Sequence, residues 1–539
     1  MKKRLLALIL AGVLSLSAAL TGCGGGDSST SSGADSGSSD GGSSESTSGE
    51  AAWDTTKNDT IVVSVINNYY TAGWKKMAED YMALHPETEV VIDVVADNNT
   101  YTQKVTTWLT SDDLTQAADI IHVNFAAGPM GGYDVMYEKD MLYDFNDMMD
   151  EANAYNDGKK VSEVFNASDL PLLQSSGKQY ALPFDFVGVA IMYNKDILDE
   201  HGIEVPTSNE ELIAACEKLQ EAGMEVPIAA TTEAEWYLSS VADSALRSQE
   251  EKFLVQPEDG AYVAEAMSAN DGFTFDENDW TCDRFTVFSG ERVAAYQMEN
   301  KFTDPTTVAI WEEYRKVAKF FTPNSSSAAS TEVLSSFELG NSAFLFSGSW
   351  NVGVLNSDMQ ELGDDGFEWG TIAFPHYENA PEGFQPELRT LYGAGNAMGI
   401  IKTHGDGDHL ERVKDFYKFC YCPEGSQKMF EVTLDAGNFV QGPPAIIGVE
   451  LSEELNAKLE GFVQEGAVKG DFGGLSGQTK YLSEDQGSYI EALNSFLAGE
   501  IDAQTFCNTI SPIALKAVQD SIDKNGYDLD PATKDEVKS

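Results

Sequence analysis

Apolar positions along this chain fall into two kinds of block. Residues 61–66 (IVVSVI), 90–95 (VVIDVV) and 118–123 (ADIIHV) are short β-branched runs, the pattern of strands buried on both faces. Between the first two, Trp74, Met77, Ala78, Tyr81 and Met82 recur at helical spacing, and a second helix is predicted over 102–114. The β-α-β-α-β series predicts a parallel sheet with helices on its faces and loops gathered at the strand ends. A further buried strand, 187–193 (VGVAIMY), follows a tight turn at Gly177-Lys178 and a short strand over 179–182 stopped by Pro183. Asn194-Lys195-Asp196 ends it, and a helix opens at Ile197. Phe184-Asp185-Phe186, two aromatics around a carboxylate between strands, suits a hinge with a polar anchor.

Later punctuation is equally regular. Thr207-Ser208-Asn209-Glu210 is a capping box for a helix over 211–220, closed by Gly223. Trp311, Tyr314, Val317 and Ala318 mark the buried face of another helix. A helix over 332–340 and a strand over 343–346 lead to Ser347-Gly348-Ser349-Trp350, where a tryptophan after small residues can stand face-out. Its flat face suits the C–H side of a sugar ring. Residues 371–375 (TIAFP) read as a crossing back to the first lobe. They precede a Gly-rich turn and strand over 391–401 and a helix over 410–421. Residues 489–497 and 503–518 are amphipathic helices expected to wrap the second lobe. The segment 248–304, rich in Phe and acids, has no assignable role from sequence.

Composition narrows the function. Lys2, Lys3 and Arg4 precede an apolar run over 5–20, the form of a secretory signal rather than a membrane span. Leu20-Thr21-Gly22-Cys23 resembles a bacterial lipobox, which implies cleavage before Cys23 and a lipid on its sulfur. Residues 24–50, nearly all Ser, Gly, Asp, Thr and Glu, form a flexible tether with a root-mean-square reach of roughly 30 Å. The remaining ~480 residues exceed one core, so two lobes are expected. A net charge of −54 without clustered Lys and Arg excludes nucleic acid and disfavours anionic ligands. Cys420 and Cys422 stand two apart on one predicted helix, and Cys216, Cys282 and Cys507 sit among apolar residues, so no disulfide framework is predicted. GxxxxGK[ST] and HExxH are absent from the sequence, and GxSxG occurs only inside the low-complexity tether, at Gly37–Gly41, with no strand or helix pattern around it. Gly393-Ala394-Gly395 lacks the order of a dinucleotide loop, and His404 and His409, around Gly405-Asp406-Gly407-Asp408, read as a solvated turn. No single pair of carboxylates stands out as catalytic.

The order Gly177-Lys178-x-Tyr180-x-Leu182-Pro183, then Tyr193-Asn194-Lys195-Asp196, Pro206-Thr207, residues 340–350 and Phe374-Pro375 resembles the extracellular solute-binding proteins of carbohydrate ABC importers. The resemblance runs from about Thr60 to the C-terminus. It implies an α/β, two-lobe periplasmic-binding-protein-like (type II) fold with hinge crossings near 183–187, Phe374 and 441–444. A ligand cleft lies between the lobes. Expected boundaries are 1–22 for the signal, 23–56 for the lipidated cysteine and linker, 57–183 with 376–440 for lobe 1, and 188–372 with 441–539 for lobe 2.

By the same resemblance, Trp350 and Trp236 would stack on sugar. Asp185, Asn68 and Asn124 would hydrogen-bond hydroxyls, while Tyr69 and Phe125 would wall the cleft. The implied activity is capture of a neutral oligosaccharide and delivery to ABC permease subunits. The binder is expected to be an exported monomer attached to the outer face of the membrane through its lipid alone, with no cofactor or metal. Val123 and Ala126 depart from maltose-binding relatives, which argues against maltodextrin more than against sugar. An exported glycan-degrading enzyme, a surface-capture protein without an importer, and a binder of peptides, polyamines or polyols stay open alternatives.

Overall fold

The computed structural model describes residues 59–533 apart from 68, 112, 232, 326–327, 439, 463–465, 467–470 and 479–485. The signal, Cys23 and the Ser/Gly tether lie outside the described residues. Eleven strands appear among the described residues: Asp59–Ile66 (β1), Thr88–Val95 (β2), Ile120–His122 (β3), Gln174–Ser175 (β4), Lys178–Gln179 (β5), Asp185–Asn194 (β6), Ile228–Ala229 (β7), Phe344–Gly348 (β8), Trp369–Ile372 (β9), Tyr392–Gly395 (β10) and Met398–Ile400 (β11).

The first lobe is built on a sheet of order β11-β3-β1-β2. β1 and β2 pair in parallel from Asp59↔Thr88 to Ile66↔Val95, β3 adds in parallel, and β11 closes the edge antiparallel, Met398 opposite His122. The β-branched runs predicted this, because a strand covered by helices on both faces needs apolar residues on both. The helix Thr71–Leu84 buries Trp74, Met77, Ala78 and Tyr81 as the periodicity predicts. The second helix begins earlier than expected, at Asn98, because the Asp97 carboxylate accepts from the Asn99 and Thr100 amides. It ends at Leu109 rather than 114. The strand expected over 179–182 shrinks to β5, which pairs with β4 across a turn where Ser176 and Gly177 both have positive φ.

The second lobe hangs on β6. One edge of β6 carries β10 near its start and β9 near its end; the other carries β8, which pairs with β7. Asn194 caps the next helix, accepting from the Ile197 amide. Ser208 accepts from the Glu211 amide while Glu211 answers the Thr207 amide and hydroxyl, so the capping acid is Glu211 rather than Glu210. Trp311 is fully buried and donates its indole N–H to Ser476 O. The C-terminal helices Gln486–Leu497 and Ala503–Asn525 bury Phe496, Phe506 and Ile510 in this lobe's core.

Three expected boundaries shift. Phe374, Tyr377, Phe384 and Leu388 pack with Tyr237 and Phe346 in the second-lobe core, so 376–388 does not belong to the first lobe. The return crossing lies at β10–β11 instead of Phe374. Val440 and Ile446 pack with the first-lobe core, and second-lobe packing resumes at Leu455, Leu459 and Phe462, later than 441. Cys420 ends one helix and Cys422 caps the next through its Sγ, rather than both sharing a helix. Cys216, Cys420, Cys422 and Cys507 are buried, but Cys282 is half-exposed and does not belong to a core. Among the described residues no helix is long and apolar enough to cross a membrane.

Candidate ligand-binding site

Three chain segments cross between the lobes at one point. Asp185, first residue of β6, stands opposite Gly395 of β10 and bridges to Pro444. The Phe186 amide donates to Pro443 O at 2.8 Å, and the Ala445 amide to Phe184 O at 3.0 Å. The crossing is too tight for side chains at two positions. A Cβ on Gly395 would lie 2.6 Å from Asp185 Oδ1 and from Gln441 Oε1, and one on Gly442 would collide with Phe186 O.

Asp185 does not open onto a cleft. It is 0% exposed and accepts hydrogen bonds from the Tyr70 hydroxyl and, at 2.9 Å, from the Gln441 amide. Burial pushes its carboxyl up to about 7, against the pull of those two donors. Burial and the neighbouring carboxylate hold the Tyr70 phenol well above its usual range, so it remains a donor. Gln441 links the rest: its side-chain oxygen accepts from the Asn396 amide and its carbonyl from the Ser349 hydroxyl. Asp185 is therefore a positioning residue at the hinge, which corrects the expectation that it contacts ligand hydroxyls. Sequence reasoning placed Tyr70 in a cleft loop and Ser349 before Trp350 but assigned neither them nor Asn396 to the hinge; the nearby signals were the Gly393–Gly395 turn and the predicted crossing at 441–444.

Around this junction stand the aromatic residues. Trp350 follows Ser349 and is half-exposed, its ring lying flat over Gly348, where a Cβ would overlap it. Trp236, on the helix Glu233–Leu246, meets it edge-on, with ring centroids 5.8 Å apart and planes at 89°. Phe186 stacks on the half-exposed Tyr392 at 5.3 Å, a pair that sequence reasoning did not select. In the first lobe, Tyr69 follows β1, and Asn124 and Phe125 begin a helix after β3. β1 and β3 are parallel neighbours, so both loops leave the same end of the sheet. Asn124 is exposed, while Tyr69 and Phe125 are half-buried against one apolar cluster. Asn68 lies outside the described residues.

The segment 248–304 gains a place. Arg389, 1% exposed, is held by Asp243 at 2.5 and 3.0 Å and by Asp283 of this segment at 2.6 and 2.8 Å. One residue on, Arg284 reaches Asp169 of the first lobe at 3.0 Å. The segment is thus fixed inside one lobe and touches the other.

A cavity of about 750 Å³ lies elsewhere between the lobes, among Asn356, Gln360, Phe430, Glu431, Asp435 and Leu455. Phe430 is the single aromatic among its lining residues, and the rest mix four carboxylates and four amides with leucine, serine and glycine. Flat apolar faces beside polar groups make the better small-ligand site, which favours the tryptophan pair.

Two α/β lobes joined by three crossing segments, with aromatic side chains beside the crossing, define the class of two-lobed binding proteins. The family model of bacterial extracellular solute-binding proteins matches residues 67–427, and the chain belongs to that family. Several solved structures share the fold. RafE in complex with raffinose is 16% identical, with a TM-score of 0.54 over 85% of this chain and 99% of that one. A chitin oligosaccharide binding protein is 18% identical, with a TM-score of 0.53 over 85% and 99%. An ABC substrate-binding protein from Listeria monocytogenes in complex with cycloalternan is 16% identical, with a TM-score of 0.52 over 86% and 100%. At these identities the likeness is one of fold. No curated protein matches the sequence.

Proposed function

We propose that this protein captures a neutral oligosaccharide between its lobes and delivers it to the permease of an ABC importer. The observation that carries the reading is the perpendicular Trp236–Trp350 pair beside the hinge. One ring can stack on a pyranose face while the other closes its edge. Tyr69, Asn124 and Phe125 would meet the ligand from the first lobe, and Asn68 joins them on the sequence alone. The structural neighbours that carry raffinose and cycloalternan in their names support the substrate class. The permease follows from the family, which is one of binding proteins rather than enzymes. Export with a lipid on Cys23, and action as a monomer, complete the proposal from the sequence.

Ligand preferring the closed arrangement of the lobes shifts the population toward it. The test is a thermal-shift screen against mono- and oligosaccharides, peptides and polyamines. A ligand at about 100 times its Kd adds roughly 2.7 kcal/mol to stability. A rise confined to oligosaccharides is expected, and a rise with peptides or polyamines alone would overturn the substrate class. Trp350→Ala should weaken sugar binding by more than ~1 kcal/mol with little loss of stability, since the ring is half-exposed; unfolding instead would show that the ring belongs to the core.

A further inference from the structure

The turn over 404–408 is solvated, as its sequence suggests, but His409 at its end is not. His404 is exposed, but the His409 side chain is only 10% exposed and lies between two carboxylates. His409 Nε2 is 2.8 Å from Asp119 Oδ1, and its Nδ1 is 3.0 Å from Asp59 Oδ2. The His404 ring stands beside the His409 ring, with centroids 4.2 Å apart. One ligand atom each from Asp119, His404 and His409 falls within 4.8 Å of the others.

From this cluster we infer a transition-metal site at the base of the first lobe, selective for Zn2+ over Ca2+ or Mg2+, with Asp119, His404 and His409 as ligands. Two imidazoles and one carboxylate suit a borderline cation; hard cations prefer sites made of oxygen alone. Zn–N and Zn–O bonds are about 2.0–2.2 Å. Ligand atoms at those distances around one tetrahedral ion stand about 3.3–3.5 Å apart, so the Asp119–His409 contact of 2.8 Å must open by about half an ångström. The exposed His404 ring must also swing inward.

The surroundings are those of a supported site. A metal-bound imidazole usually donates its other ring N–H to a carboxylate, which fixes the tautomer; Asp59 stands where His409 Nδ1 needs that acceptor. Asp119 is itself held, its Oδ2 by the Val62 amide at 2.8 Å and its Oδ1 by the Thr403 hydroxyl. Thr403 Oγ1 also lies 3.0 Å from His404 Nδ1. Asp59 begins β1 and Asp119 precedes β3, whereas Tyr69 and Asn124 follow the far ends of the same strands. The site is therefore at the opposite end of the sheet from the proposed sugar loops. A bound ion would tie the first strand, the third strand and the helix Asp408–Cys420 together.

The experiment uses the purified protein, dialysed against a chelator and titrated with ZnCl2, CaCl2 and MgCl2 by calorimetry. One Zn2+ per chain is expected, with a rise in melting temperature. His404→Ala changes an exposed side chain and should leave the metal-free protein folded, yet weaken Zn2+ binding at least tenfold. Asp59→Asn, which removes the second carboxylate, should weaken it about 10–100-fold. No Zn2+ uptake, unchanged uptake in His404→Ala, or tighter binding of Ca2+ than Zn2+ would each overturn the inference. None of these outcomes depends on whether a sugar binds.

Discussion

Asp185 and Asp243 are both sealed from solvent, yet the protein answers them differently. Asp243, inside the second lobe, meets Arg389 through two contacts, with Arg247 at 3.6 Å and Asp283 gripping the same guanidinium from its other side. Asp185, where the lobes join, meets a phenol and an amide and no cation. A planar guanidinium between two carboxylates fixes geometry on every side. Neutral donors hold more loosely and can change partners as strands twist. The lesson is one of placement: buried acids are clamped by cations inside the lobe, while the buried acid at the strand crossing is left to neutral donors.

The comparison breaks most visibly at the rigid end. Arg389→Met removes the guanidinium that two buried acids share and should cost about 3–5 kcal/mol in urea unfolding; a loss under about 1 kcal/mol would mean the network is not structural. At the hinge, Tyr70→Phe should cost about 1–3 kcal/mol, more at pH 8 than at pH 5, because only the charged carboxylate loses a donor it needs. The third test follows from the raised pKa. In the unfolded chain Asp185 ionises near its ordinary 3.8, and in the folded protein at about 7. Its contribution to stability is thus fully present below 3.8 and lost as pH rises through about 7. Asp185→Asn should flatten that part of the stability profile, measured as the difference between variant and wild type at pH 5 and pH 8. Asp243→Asn should destabilise at both. Smallest is Arg284→Ala, which removes the contact with Asp169 across the lobes. A stability change of about 0.2–1 kcal/mol, reduced by salt, is expected, together with a few-fold loss of ligand affinity in calorimetry.

Much of the first lobe was legible because strands covered on both faces must be apolar throughout, and β1, β2 and β3 fall on the expected runs within a few residues. Trp236 and Trp350, named separately, are neighbours in space. The hinge was legible as a place but not as chemistry. Asp185 is bound by Tyr70 across 115 residues and by Gln441 across 256. No local pattern announces such partners, so a carboxylate between two aromatics reads as a ligand anchor when it is a buried knot. Arg389 hides for the same reason, a lone cation whose acids lie more than a hundred residues upstream. His409 misled in the opposite direction: its glycine- and aspartate-rich neighbours are those of a surface turn, while its partners Asp59 and Asp119 come from distant strands.

The threefold crossing also orders events in time. β11, the edge strand that covers β3, is synthesised only after every strand from β4 to β10. The first-lobe sheet therefore stays open along that edge while the second lobe emerges, and closing it requires a long-range contact, which is slow. A late-arriving edge strand makes the first lobe, begun first along the chain, the lobe whose sheet is completed only after most strands of the second have been made.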